Sequence, residues 1–145
     1  MDKMNNTALK SAVSLLVKRD YSIAELTTKL QQKGYCIEEI KEVIVILTQR
    51  GYLKEQELCQ RRFQQYYQTH KYSANYVAKK LMSQGFDEND VLNSMDNVDL
   101  ATEVEIARKL LEKKDFMINK CEKENLVKFL LNKGFSHQTI ENILL

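Results

Sequence analysis

The chain has 145 residues, no proline, four glycines and a formal charge of only +2, with 22 Lys and Arg against 20 Asp and Glu. That length suits one ordinary domain or a few small repeated units, and a composition rich in Leu, Ile, Lys, Glu and Gln favours helix, since these side chains lose little rotamer freedom there. No apolar run approaches the roughly 18 residues of a membrane span, and "MDKMNNTALK" lacks the apolar segment of a secretory signal, so a cytoplasmic protein is expected.

The first predicted helix covers about 8–19, with Leu9, Ala12, Val13 and Leu16 at helical spacing. A second begins at "SIAE", where Ser22 and Glu25 have capping-box spacing, carries Leu26 and Leu30 on one face and stops at Gly34. A third follows Cys36, a poor cap, with Ile40 and Ile44, and stops at Gly51. The pattern then recurs. A helix over about 55–70 has Cys59, Phe63, Tyr66 and Tyr67 on one stripe; the next carries Val77 and Leu81 and stops at Gly85; Asp87 caps one with Val91 and Met95. In the last round a helix over about 100–116 carries Val104, Ala107 and Leu111. Asn119 and Glu122 then open a helix with Leu126 and Leu130 that stops at Gly134, and Ser136 caps one with Ile140 and Leu144. Loops are expected at 20–21, 51–54, 71–72, 98 and 118–119.

"KLQQKGYCIEEI", "KLMSQGFDENDV" and "FLLNKGFSHQTI" therefore spell helix, stop, helix three times. The fold class that follows is all-α: three tandem three-helix repeats, at 1–53, 54–98 and 99–145, stacked as a short, elongated, curved helical solenoid. Such an array presents a surface and requires no catalysis. The glycines are all used as helix stops, and neither GxGxxG nor GxxxxGK[ST] occurs. His70 and His137 have no Ser, Cys or carboxylate at a telling spacing, and Cys36, Cys59 and Cys121 lack a CxxC. No catalytic residue, metal or cofactor is expected, and the thiols read as buried and reduced.

Charge is arranged in blocks. Residues 58–86 contain no Asp or Glu but include Arg61, Arg62, Lys71, Lys79 and Lys80, interleaved with aromatics; 81–107 contain no Lys or Arg and many acids. The candidate partner or DNA contacts are Arg61, Arg62, Lys71, Tyr72, Tyr76, Lys79 and Lys80, with the cations for phosphate or an acidic protein surface and the two tyrosines for stacking. On the helical wheel Arg61 lies opposite the apolar stripe and Arg62 to its flank, which reads as leaving both for an outside partner. The competing reading pairs these charges with the acidic block of the following helices. Phe63, Tyr66 and Tyr67 read as core. A second function class is a helical repeat acting directly on DNA, because helix, glycine turn and helix can resemble a helix-turn-helix. The helices after the glycines, "IEEIKEVI", "ENDVLNSM" and "QTIENILL", are acidic or neutral and none sets Arg, Asn or Gln for base edges beside phosphate-binding Lys, as a recognition helix should.

"ALKSAVSLLVKRDYSIAELTTKLQQKGY", followed by "VIVILTQRGYL", resembles the opening of the RecX family, regulators of the bacterial RecA recombinase. "ARKLLEKKD" and "KENLVKFLLNKGFSHQTIENIL" are similar to that family's C-terminal repeat, so the resemblance runs over about 8–145 in order. Two departures lie in the middle unit. The acidic pattern usual after "GYL" is replaced by Lys54, Glu55, Gln56, Glu57 and Leu58, and a "K-G" usual near the end of the following helix is replaced by "HKYSANYV". The resemblance implies a monomer that binds RecA protein and the RecA–single-stranded DNA filament. It implies modulation, usually inhibition, of recombinase, ATPase and coprotease activities in DNA recombination, repair and the SOS response. It brings no catalytic site, cofactor or membrane contact, and only weak direct DNA binding.

Overall fold

Each sequence unit folds as three helices that pack chiefly on one another. In a computed structural model, which describes residues 2–114 and 123–144, the described residues form nine helices and no strand. Unit 1 holds α1 (Asp2–Lys18), α2 (Ile23–Gln32) and α3 (Ile37–Gln49); unit 2 holds α4 (Glu55–Tyr67), α5 (Ala74–Ser83) and α6 (Glu88–Ser94); unit 3 holds α7 (Leu100–Lys113), α8 (Lys123–Asn132) and α9 (His137–Leu144). Within a unit, the first and third helices pack most extensively on each other, and in units 1 and 2 the second helix packs on both.

The apolar spacing explains these contacts. Leu26, Leu30, Val77, Leu81, Leu126 and Leu130, paired four apart on the second helices, are all buried. They do not join one continuous core. Ala8, Ala12, Leu26, Leu30, Ile40, Val43 and Leu47 form a core inside unit 1, while Phe63, Tyr67, Val77, Leu81, Ile106, Leu111, Leu130 and Phe135 belong to a second core shared by units 2 and 3. Leu144, expected in the core, is 39% exposed, and Cys36, expected buried, is exposed at the mouth of α3. The Cys36 thiol donates to Glu39 at 3.0 Å, and that bond, ahead of other causes, holds its pKa above the ordinary thiol value. Cys59 is buried as expected.

The helix ends follow local chemistry. Ser22 and Glu25 make the full capping box, and Ser136 Oγ accepts the Thr139 N–H at 3.1 Å. Asp87 makes no side-chain cap; Ser73 and Asp99, which the sequence reading passed over, accept the N–H groups of Tyr76 and Thr102. α1 starts at Asp2, ahead of the expected position near 8, and α4 ends at Tyr67, short of 70. The early end has a cause: His70 has φ 57°, so it stops the helix in the left-handed conformation without glycine's freedom. α7 ends at Lys113, short of the expected 116, and the expected Asn119–Glu122 capping box, Cys121 and the loop at 118–119 lie outside the described residues.

Candidate functional site

The junctions between units decide which basic side chains remain available. At the first junction Ser22 Oγ donates to Gln84 O at 3.3 Å, and the Ile23 N–H donates to the Glu55 carboxylate at 3.1 and 3.3 Å. At the second, Ser73 Oγ donates to Lys133 O at 2.6 Å, and the Ala74 N–H donates to Glu103 at 3.2 and 3.3 Å. The same device is used twice. In each case the N-terminus of one unit's second helix abuts the C-terminus of the next unit's second helix, and a carboxylate from that next unit's first helix takes an orphan N–H. The macrodipoles of α8, α5 and α2 then meet positive end to negative end.

Arg61 and Arg62 belong to the first junction, which departs from the expectation that both are left for an outside partner. Arg62 donates through Nη1 to Glu25 Oε2 at 3.1 Å and Gln84 Oε1 at 3.0 Å, and through Nη2 to Glu25 Oε1 at 2.8 Å; its side chain is 13% exposed. Arg61 donates to Asp20 Oδ2 at 2.7 Å, with both side chains more than half exposed. The acids engaged precede the arginines, in unit 1, and are not those of the 81–107 block. Helical-wheel reasoning placed the arginines off the stripe of α4 correctly, but a wheel contains no neighbouring unit.

Three carboxylates at the junctions carry shifted pKa values. Burial works to raise that of Glu25, but the hydrogen bonds from Arg62 and the Ser22 N–H, with the Arg62 and Arg19 charges, outweigh it and leave the net value below the ordinary range. Burial raises Glu55 and Glu103, only partly opposed by the N–H of Ile23 and, for Glu103, by the Tyr67 hydroxyl at 2.7 Å and the Ala74 N–H. Burial, with that bond to Glu103, drives the Tyr67 hydroxyl well above its usual value. These acids were missed at the sequence level. The signal was a Ser–x–x cap recurring at Ser22 and Ser73, each with an acid at the start of the next unit's first helix.

The remaining candidates stay on the surface of α5 and the loop before it. Lys71, Tyr76 and Lys79 are exposed, and Tyr72 and Lys80 half-buried. Tyr72 and Tyr76 stack on each other, centroids 4.7 Å apart and planes 10° apart. Lys80 Nζ sits 4.5 Å from the Tyr66 ring centroid and 5.7 Å from that of Tyr72, so its charge is partly engaged by rings. Tyr66 is half-buried and accepts from Gln84 Nε2, whereas Phe63 and Tyr67 are core, as expected. On either side along the end-on helices, Lys29 and Lys33 of unit 1 and Lys128 and Lys133 of unit 3 are exposed. No helix of the described residues is long and apolar enough to cross a membrane.

Comparison with known proteins agrees with this architecture. Residues 8–45 match the family model for the first three-helix domain of RecX. The chain is 27% identical over 149 residues to the regulatory protein RecX of Clostridium perfringens strain 13, covering 98% of this chain and 67% of that protein. It is 28% identical over 142 residues to regulatory protein RecX of Legionella pneumophila strain Corby, covering 94% and 91%. The crystal structure of RecX from Lactobacillus salivarius superposes with a TM-score of 0.86 at 18% identity, over 99% of this chain and 96% of that one, which speaks to the fold. These relatives are named as regulators and not by any enzyme class. The chain is thus similar to regulatory RecX proteins over nearly its whole length, and its first unit matches that family's first three-helix domain.

Proposed function

We propose that this protein is a non-enzymatic, cytoplasmic, monomeric regulator that binds RecA and its filament on single-stranded DNA and restrains the filament's recombinase, ATPase and coprotease activities, and through them recombination, repair and the SOS response. The observation that carries the reading is the surface of α5. Lys71 and Lys79 stand exposed beside the stacked Tyr72–Tyr76 pair, in a stretch without a carboxylate. Cations beside a flat aromatic pair suit phosphate oxygens and an unstacked base, or the acidic side chains of a protein surface. The proposed contacts are Lys71, Tyr72, Tyr76, Lys79 and Lys80, with Arg61 reachable at the rim; Arg62 serves the fold first, because its guanidinium is already bonded on three sides.

The test is capture of RecA by this chain with and without single-stranded DNA, together with the rate of DNA-dependent ATP hydrolysis. The expected outcome is capture of the filament and slower hydrolysis. Tight binding to duplex of a particular sequence, with no capture of RecA, would point instead to a helical repeat acting on DNA itself. Against that alternative, the helices following the glycines open with acids, Glu38 and Glu39 in α3 and Glu88 and Asp90 in α6.

A further inference from the structure

The repeat supplies its own control for a surface that the basic block of α4 and α5 does not include. Matching the first helices on their buried positions pairs Ala8 and Ala12 of α1 with Cys59 and Phe63 of α4 and with Ala107 and Leu111 of α7. In that register Leu9, Val13 and Val17 fall on Gln60 and Gln64 of α4 and its C-cap Gln68, and the first two fall on Arg108 and Glu112 of α7; the third falls on Phe116, outside the described residues. Unit 2 keeps this outer stripe polar throughout, and unit 3 at its first two positions, as a solvated helix face should be. Unit 1 makes it apolar. Leu9 and Val13 lean half-buried against the edge of their core, and Val17 continues the stripe into solvent at 81% exposure. Three anchors at i, i+4 and i+8, with nothing of the described chain over the last, match the way one helix offers a line of contacts to another.

The charge beside the stripe selects what lies there. Lys10 and Lys18 are exposed along its edge. Lys10 stands in the register of Arg61, whose guanidinium is engaged by Asp20 of the unit before it. A second copy packed symmetrically on the stripe would bring like lysines together and be repelled. An acidic helix would not.

We infer that the outer face of α1, Leu9–Val13–Val17 flanked by Lys10 and Lys18, is a docking surface for an acidic amphipathic helix of a partner protein. The test titrates the full chain and its V17D and K10E/K18E variants against a fluorescent synthetic helix with leucines along one face and glutamates beside them, followed by anisotropy. The wild-type chain should bind, and each variant should weaken binding about tenfold or more, with an unchanged melting temperature because the substituted side chains are exposed. A matched peptide with lysines for glutamates should also bind about tenfold more weakly or worse. Absence of binding by the wild-type chain, equal binding by V17D, or equal affinity for the basic peptide overturns the inference. So does V17-dependent sedimentation with phosphatidylglycerol vesicles, or V17-dependent self-association, in the absence of peptide binding.

Discussion

Gly34 and Gly85 end the second helices of adjacent units with φ 98° and 96°, yet they face different surroundings. A Cβ on Gly34 would meet nothing within 4 Å, whereas one on Gly85 would overlap the Cβ of Ala24 across the first junction. Gly34→Ala should therefore cost only the left-handed backbone term, about 1 kcal/mol. Gly85→Ala adds overpacking against a neighbouring unit and should cost about 2 kcal/mol or more. Denaturant midpoints of the two variants check this; equal losses would mean the junction gives way freely. His70 is the complementary case, a residue with a side chain held at φ 57°. His70→Gly should stabilise the chain by about 0.5–1 kcal/mol, despite removing a 3.2 Å contact between His70 Nδ1 and Lys109 Nζ that is exposed to solvent. A lower melting temperature would show that this contact outweighs the backbone strain.

At the scale of the helix and its junction, the two neighbouring arginines should behave differently. The Arg61–Asp20 pair is more than half exposed on both sides, so Arg61→Ala should cost about 0.5 kcal/mol or less. Arg62→Ala leaves Glu25, whose side chain is 24% exposed, without its main partner and should cost about 2 kcal/mol. The second loss depends on pH. Glu25 has a folded pKa below its ordinary value, so its stabilisation is fully present above that ordinary value and is lost as pH falls through the lowered one. The stability gap between wild type and Arg62→Ala should accordingly be widest near neutrality and close in acid. A gap independent of pH would assign Arg62 a packing role. Glu103 has the opposite sign. Its raised pKa means that its contribution is present below the ordinary glutamate value and lost as pH rises through the raised one. The helices themselves were legible in the sequence, because Leu26 and Leu30, or Val77 and Leu81, declare a face within four residues. The junction was not, because Glu25 and Arg62, or Tyr67 and Glu103, lie far apart in sequence and are joined only when one unit stacks on the next. Reading each helix alone made Arg61 and Arg62 look unpartnered for the same reason.

For the whole molecule, the division between junction and surface determines how the proposed partner contact should be probed. Replacing Arg61 and Arg62 together would mix a stability loss with any binding loss, since Arg62 holds units 1 and 2 together. Lys71, Tyr76 and Lys79 avoid this, as all three are exposed and lie off both buried cores. Their combined replacement by Ala should leave the melting temperature within about 2 °C of wild type, since surface changes of this kind stay within a few tenths of a kcal/mol. It should also reduce capture of the RecA filament several-fold. If phosphate is the group contacted, wild-type binding should fall with added salt, and losing two lysines should flatten the log–log slope by about 1.4–1.8, at 0.7–0.9 for each contact removed. A purely acidic protein surface would also weaken with salt, but without that counterion slope, and would keep its affinity when DNA is withheld. The comparison variant removes Lys113 and Lys114 at the end of α7, an equal change in net charge at a different place. Loss confined to the α5 variant supports a local site on the middle unit. Equal loss from both would mean that the overall charge of the array draws it to its partner, and the stacked tyrosines would then be a feature of folding alone.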